Sequence, residues 1–505
     1  MNAAAVRYLI GSMIALVGAA MAAPLVFALV TGEGAGAGTA AGPAAGLVPA
    51  GMAWGTPAAF AVPMVVALVL GLLLRRGARE HHADEIGIHE VVIVVVGAWC
   101  AAALIGAAPL WLSGALPDPV DAWFEAVSGF TTTSATAFFD VERQPRSILL
   151  WRSLLNWLGG LGIVVLFVSV FPRLGVGGNQ LFRTEMSNVA AEKLRPRIRE
   201  AAKALWGLYT GLTAAAALLL WAAGLPLFDA ALHALSTVST GGFSTRNAGI
   251  GAFANPLAES VTAVFMFLGA TNFSLLYRAV RRGEVGALLQ SREFRAYVGV
   301  TLGAALLAAA NLWGTGLLPT GEALRVALFQ VVSVISTAGI SVADPEAWPA
   351  GAAAVVFALM FVSGMSGSTA GGPKMIRILI AAKHGFYGLL KLLHPRSVTQ
   401  MRLGELKVPD SLVMAVGSFL FLYLLVFLVS FVVLSFAGMD MVTAASTAIA
   451  SLGNTGAPFG QLGPYGSYAA LPAWLKLYLS AVMLVGRLEI YGVLLLFLPS
   501  FWSRK

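Results

Sequence analysis

Stretches of about 20 apolar residues recur along the whole of this 505-residue chain, and a helix needs about that length to cross the hydrocarbon core of a bilayer. The runs lie at 6–30, 58–74, 88–113, 147–171, 204–224, 257–280, 296–317, 352–381, 411–437 and 474–500, which predicts ten membrane-spanning helices. Only 11% of the residues are charged, against about 25% in an ordinary globular domain. So few charges cannot cover a surface in contact with water. Lipid is the solvent, and the fold class is an all-α integral membrane protein.

The net charge of +8 does not point to nucleic acid, because 24 of the 32 Lys and Arg residues cluster in five short stretches at 75–79, 173–203, 278–295, 374–407 and 504–505. Basic residues gather in cytoplasmic loops, so these stretches are expected inside. The alternate loops carry Asp118, Asp121, Asp140, Glu142, Asp344 and Glu346 and face outward. Ten crossings then leave both termini in the cytoplasm. The first run, with Arg7 at its start and Ala20-Met21-Ala22 further along, could pass for a cleaved signal peptide. A retained helix is preferred, because Arg7 and Arg75 then lie on the same side after two crossings. The Gly/Ala-rich stretch from Gly32 to Gly51 lacks the Gly-Lys-Ser/Thr ending of a phosphate loop and reads as a spacer. The single cysteine, Cys100, rules out an intrachain disulfide and a Cys-rich metal site.

After the first two helices the other eight fall into pairs. Between the members of each pair lies a segment too short to cross and too apolar to be a plain loop. The four segments align: Phe124-Glu125-Ala126-Val127-Ser128-Gly129-Phe130-Thr131-Thr132-Thr133-Ser134-Ala135-Thr136, Leu232 to Ser244, Phe329 to Ser341, and Thr447 to Pro458. Each reads as a half-helix followed by a small, polar turn. The predicted units are 1–80, two N-terminal helices; 81–172, pore unit 1; 173–283, a cytoplasmic linker and unit 2; 284–395, unit 3; and 396–505, unit 4.

A cation crossing lipid must have its hydration shell replaced, and a ring of backbone carbonyls from four re-entrant loops does this without holding the ion too tightly. Non-helical backbone at membrane depth is tolerated where it is buried in protein or lines a water-filled cavity. Gly242, Gly339 and Gly456 stand at matching turn positions, where aiming carbonyls inward needs angles that a Cβ penalises. The half-helices would also turn their negative C-terminal ends toward the ion. In the third unit, Ser363-Gly364-Met365-Ser366-Gly367-Ser368-Thr369-Ala370-Gly371-Gly372-Pro373-Lys374 interrupts the second helix in mid-membrane, as a kink or as a larger break. Arg487 lies within the last apolar run and must face protein or water, with a local ion pair to Glu489 as one solution.

These loops, together with Asn156-Trp157-Leu158-Gly159-Gly160-Leu161-Gly162 and Pro172-Arg173-Leu174-Gly175-Val176-Gly177-Gly178, resemble the Trk/Ktr/HKT superfamily of potassium transporters over essentially the whole chain, nearest to its bacterial TrkH-type membrane subunits. The resemblance implies four pore units in pseudo-fourfold arrangement around one pore in the bacterial inner membrane. It implies a selectivity filter that holds K+ at Thr132, Thr133, Ser134, Thr240, Gly241, Gly242, Thr337, Ala338, Gly339, Asn454, Thr455 and Gly456. It further implies an intramembrane gate containing Gly367, Ser368, Gly371, Gly372 and Lys374, with Arg487 as an electrostatic barrier below the filter. Implied partners are a second copy of the chain and a cytosolic TrkA-type ring that binds NAD and ATP; the basic loops could meet that ring or anionic lipid.

Ser134 departs from the pattern, because typical bacterial potassium subunits have glycine there. Plant relatives with a serine in this place tend to favour sodium, so Na+ is an alternative substrate. An alternating-access carrier built on inverted repeats is disfavoured, because all four units have one orientation. In a non-transporting structural subunit, four such loops would have no purpose. No His/Asp/Ser or carboxylate constellation recurs near the loops and no nucleotide-binding motif is present, so the chain is not read as an enzyme and no covalent cofactor is expected.

Overall fold

The computed structural model describes residues 2–33, 54–76, 87–169, 194–394, 401–403 and 406–503. Residues 34–51 of the spacer expected over 32–51, the run 172–178 and most of the basic stretch at 173–203 lie outside them. Among the described residues the regular structure is helical, apart from a two-residue antiparallel pair, β1 (Arg402–Leu403) with β2 (Leu406–Lys407).

Two helices, α1 (Ala3–Ala20) and α2 (Ala22–Thr31), run on as one 29-residue apolar span. It packs against α3 (Thr56–Arg75), where a Cβ on Gly11 would come within 2.9 Å of the Gly71 carbonyl oxygen. Small residues at that crossing let two backbones approach where lipid supplies no hydrophobic drive. The span and α3 then rest on α4 (Ile88–Leu112).

From α4 onward one pattern repeats. Each unit has an outer helix, a glycine turn, a half-helix, a loop and a returning helix. The half-helices are α5 (Pro119–Phe130), α8 (Leu227–Val238), α13 (Thr320–Ile335) and α17 (Met441–Gly453), following α4, α7 (Leu194–Ala222), α12 (Arg292–Gly314) and α16 (Asp410–Phe436). The turn glycines Gly114, Gly224, Gly316 and Gly438 all have positive φ. Their N–H groups donate to the carbonyls of Trp111, Trp221, Trp313 and Ser435 at 2.9–3.0 Å. A left-handed glycine at this place closes a helix end and satisfies its orphan carbonyls. Asp118 and Asp440 then start two of the half-helices by accepting N–H groups of the first turn.

Among the described residues, seven helices are long and apolar enough to cross a membrane. The runs predicted over 257–280, 352–381 and 474–500 are each divided. α9 (Pro256–Gly269) and α10 (Phe273–Arg282) meet at 107°, and α18 (Ala473–Arg487) meets the short helical segment after it at 115°. The third run is α14 (Ala350–Leu359), a non-helical stretch over 360–374, and α15 (Met375–Leu393). The breaks support one another: Met365 N donates to Ala270 O at 2.8 Å and Asn272 Nδ2 to Ser366 O at 2.6 Å, so the groups freed at one break are satisfied at the other.

The surface is apolar where lipid would touch it, as at Val65, Val69, Leu306, Leu307, Phe421 and Leu428, while Ser128, Thr131, Ser236, Thr337 and Thr455 are buried. This inverts the water-soluble pattern, and it places a polar lining at the centre of the molecule.

Candidate functional site: a ring of four loops

The loops share one backbone. Thr132 and Ser134, Thr240 and Gly242, Thr337 and Gly339, and Asn454 and Gly456 all have φ between 54° and 102°, with a residue of negative φ between the members of each pair. Such alternation turns successive carbonyls to one side. The N–H groups go the other way, back onto the half-helix. Thr133 donates to Ser128 O, Gly241 to Ser236 O, Ala338 to Ser333 O and Thr455 to Ala450 O, at 2.8–2.9 Å and with the same spacing each time.

The loops also touch in cyclic order. A Cβ on Gly242 would meet Ala338 O at 2.0 Å, one on Gly339 would meet Thr455 O at 1.9 Å, and one on Gly456 would meet Thr133 O at 1.7 Å. Each glycine is thus required by its φ and by the neighbouring loop's carbonyl. Ser134 occupies the fourth such place. It accepts φ 60°, and its hydroxyl lies 2.9 Å from the Asn156 carboxamide. With that amide turned so that its nitrogen donates to Gly129 O (2.7 Å), its oxygen accepts from Ser134. In the sequence Asn156 stands out only as part of a motif; its place behind the first loop gives it a task. The twelve loop residues expected to hold the ion therefore come together, in one ring.

On one side of the ring a cavity is lined by Ser134, Gly242, Gly339, Gly456 and the residues that follow them. Asn247, one of the lining residues, donates through Nδ2 to Asp140 at 2.9 Å, and this hydrogen bond holds the Asp140 carboxyl below the usual carboxylate range.

On the other side lies the 360–374 stretch. Gly371 N donates to Thr337 Oγ1 at 2.7 Å, and Thr369 Oγ1 donates to Gly269 O at 2.9 Å and lies 3.2 Å from Thr240 Oγ1. Ser368 Oγ donates to Met365 O at 2.5 Å, and Lys374, buried, donates through Nζ to Ala370 O. Gly367 and Gly372 have positive φ. Glu293 Oε1 accepts from Ser366 N at 2.7 Å and from Ile376 N at 3.2 Å, fastening the middle of the stretch and the start of α15 to α12.

Arg487 is 2% exposed and its Nη1 donates to Thr369 O at 2.9 Å, while Nε and Nη2 have no partner among the described residues. The local pair with Glu489 is not formed. Glu489 has φ 60° at the helix break and pairs instead with Arg377 of α15, whose guanidinium also lies 3.9 Å from the Phe419 ring centre. Residues 487 and 489 point in different directions, and the carboxylate takes a partner 112 residues away.

The model of the family described as TrkH, cation transport protein, matches residues 58–504. The chain belongs to the TrkH family. It is 40% identical to the Trk system potassium uptake protein TrkH of Halomonas elongata, over 88% of this chain and 92% of that one. It is 36% identical to the protein of the same name in Escherichia coli K12, over 89% and 93%. The crystal structure of the potassium transporter TrkH from Vibrio parahaemolyticus superposes with a TM-score of 0.87 at 32% identity, covering 100% of both chains. The superfamily resemblance read from the loops is thus correct. A TrkH family chain with these apolar helices is a multi-pass membrane protein that transports cations, and it is not an enzyme.

Proposed function

We propose that this chain is the membrane subunit of a potassium uptake system and that the ring of four loops is its selectivity filter. The observation that carries the reading is the shared backbone of the loops, with its alternating φ and its cyclic contacts between quasi-equivalent residues. Carbonyls at Thr132, Thr133, Ser134, Thr240, Gly241, Gly242, Thr337, Ala338, Gly339, Asn454, Thr455 and Gly456 replace the water around K+. The half-helices aim their negative ends at the same place. Ten spans in four pore units around one pore, with boundaries at 81–172, 173–283, 284–395 and 396–505, fit this arrangement, as do cytoplasmic termini in a bacterial inner membrane.

The 360–374 stretch is then the gate. It lies against the loops through Thr369 and Gly371, its glycines at 367 and 372 can absorb a backbone change, and Lys374 anchors its end. Arg487 places a buried positive charge below the filter and pins the stretch through Thr369. The name of the relatives, a Trk system, supports a partner that moves the gate. We assign that role to a cytosolic TrkA-type ring on a homodimer of this chain, meeting the basic loops.

Ser134 supports a second reading, sodium permeation, because it stands at the ring position where the other three loops have glycine. Flux of K+ and Na+ into liposomes holding the purified full chain, with and without the regulatory subunit, tests both. Selective K+ entry is the expected result. Equal entry of both ions, or none under any condition, overturns the assignment.

A further inference from the structure

The half-helices carry a second repeated device. At the same offset before the first left-handed residue of each loop stand Glu125, His233, Gln330 and Thr447. Eleven residues after each of the first three, on the leg of the loop that runs outward, stand Thr136, Ser244 and Ser341. In all three units the two ends are joined. Thr136 Oγ1 donates to Glu125 Oε1 at 3.2 Å, Ser244 Oγ lies 2.9 Å from His233 Nε2, and Gln330 Nε2 donates to Ser341 Oγ at 3.5 Å. The fourth unit has Pro458 in the matching place, which has no hydroxyl, and the buried Thr447 Oγ1 has no partner among the described residues.

We infer that Glu125, His233 and Gln330 are positioning residues that clasp the outward leg of each loop to its own half-helix, so that selectivity depends on side chains that never meet the ion. The inference rests on the reading of the loops as the cation filter. Half-helix and outward leg are the two walls of each loop, and between them stand the carbonyls of Thr133, Ala338 and Thr455 that abut the neighbouring loops. Whatever joins the walls fixes where the carbonyls stand.

The clasps differ in strength. Glu125 is fully buried, accepts Ala137 N at 2.7 Å, and pairs with Arg152 Nε at 2.7 Å. Arg152 crosses to the second unit, where it lies 4.1 Å from the Phe243 ring centre and donates to Ser244 O at 3.4 Å. Charge-assisted bonds of this kind are about twice as strong as neutral ones. In the second unit His233 Nδ1 donates to Asp229 O at 2.8 Å, since a carbonyl can only accept; Nε2 of the neutral ring then accepts from Ser244. The third clasp is long, and in the fourth unit the half-helix holds the outward leg by another residue, Ser446, whose Oγ donates to Phe459 O at 3.0 Å.

Buried polar groups pair for stability alone as well, so the test must read selectivity. The K+/Na+ permeability ratio is measured from reversal potentials of the full chain in planar bilayers. The variants are His233→Ala, Ser244→Ala, their double, and His233→Gln, which can reach Ser244 as Gln330 reaches Ser341. Each single Ala variant is expected to lower the ratio about threefold, and the double to add nothing further, as for two ends of one bond. His233→Gln should stay near wild type. Should His233→Ala fail to fold, Ser244→Ala removes one oxygen only and carries the test. Gly242→Ser in the ring itself serves as the reference. If it changes the ratio or abolishes current while the clasp variants do not, or if the two Ala effects multiply, or if His233→Gln behaves as His233→Ala, the clasp is refuted. If Gly242→Ser too leaves current and ratio unchanged, the filter reading has failed and the clasp with it.

Discussion

Arg487 Nη1 donates to the carbonyl oxygen of Thr369, at 2.9 Å, and Thr369 lies 3.2 Å from Thr240 of the second loop through its hydroxyl. One buried cation therefore holds the segment that lies under the ring. A fixed charge about 8 Å from a permeating ion raises its energy by roughly 2 kcal/mol at an effective dielectric of about 20. Arg487→Ala is expected to raise passive K+ flux by up to about thirtyfold, less any screening by water in the pore. Arg487→Lys keeps the charge and should stay near wild type. Flux assays on folded protein in liposomes check this, and an unchanged flux in Arg487→Ala removes the barrier role.

Deletion of 367–372 takes away Thr369 and Gly371, and with them the contacts to Thr240 and Thr337. The shortened chain is expected to conduct without its regulatory partner. A variant that folds, by size-exclusion profile, yet conducts no better than wild type would mean that the segment is a structural break and not a gate.

Glu489→Gln leaves Arg377 buried without its counter-charge. Removing one member of a buried pair costs about 3–5 kcal/mol. The thermal midpoint in detergent should fall by several degrees, and the double change Glu489→Gln with Arg377→Met should recover most of the loss. A drop that the double change does not recover would show that the pair is not the cause.

The loops were legible because their chemistry is local. Small polar residues and glycine must follow a half-helix in a fixed order, and four copies make the order visible. The break was legible over 363–374 for the same reason, since Gly, Ser and Pro disfavour helix wherever they stand. The sharp bends in α9–α10 and after α18 were not. At 270–272 and 488–490 the sequence has no glycine or proline to mark a break, and the bend is made by partners from 363–374 and by the positive φ of Glu489 and Ile490. The same holds for Glu489 with Arg377, and for Asn156 with Ser134: a bond between distant residues leaves no spacing to read. The turn glycines at 114, 224, 316 and 438 could have been found, because each stands just before a half-helix, but they are diluted among 56 glycines.

Ser134 bears on selectivity through its backbone. Its φ of 60° costs a residue with a Cβ roughly 1 kcal/mol relative to glycine, and the cost is offset by the hydroxyl's bond with Asn156 at 2.9 Å. That bond ties the first loop to α6 (Arg146–Ser169), on the side of the ring where Gly241 also abuts Asn156. Ser134→Gly removes both the strain and the tether, and lets the fourth place take the form of the other three. The K+/Na+ permeability ratio is expected to rise, by about two- to fivefold if the strain alone is relieved. Reversal potentials on both forms measure it. Asn156→Ala separates the two causes, since it removes the tether and keeps the strained serine. A rise in Ser134→Gly alone assigns the effect to backbone geometry, whereas equal rises assign it to the tether. An unchanged ratio in both would mean that the ring tolerates a serine without consequence for the ion it selects.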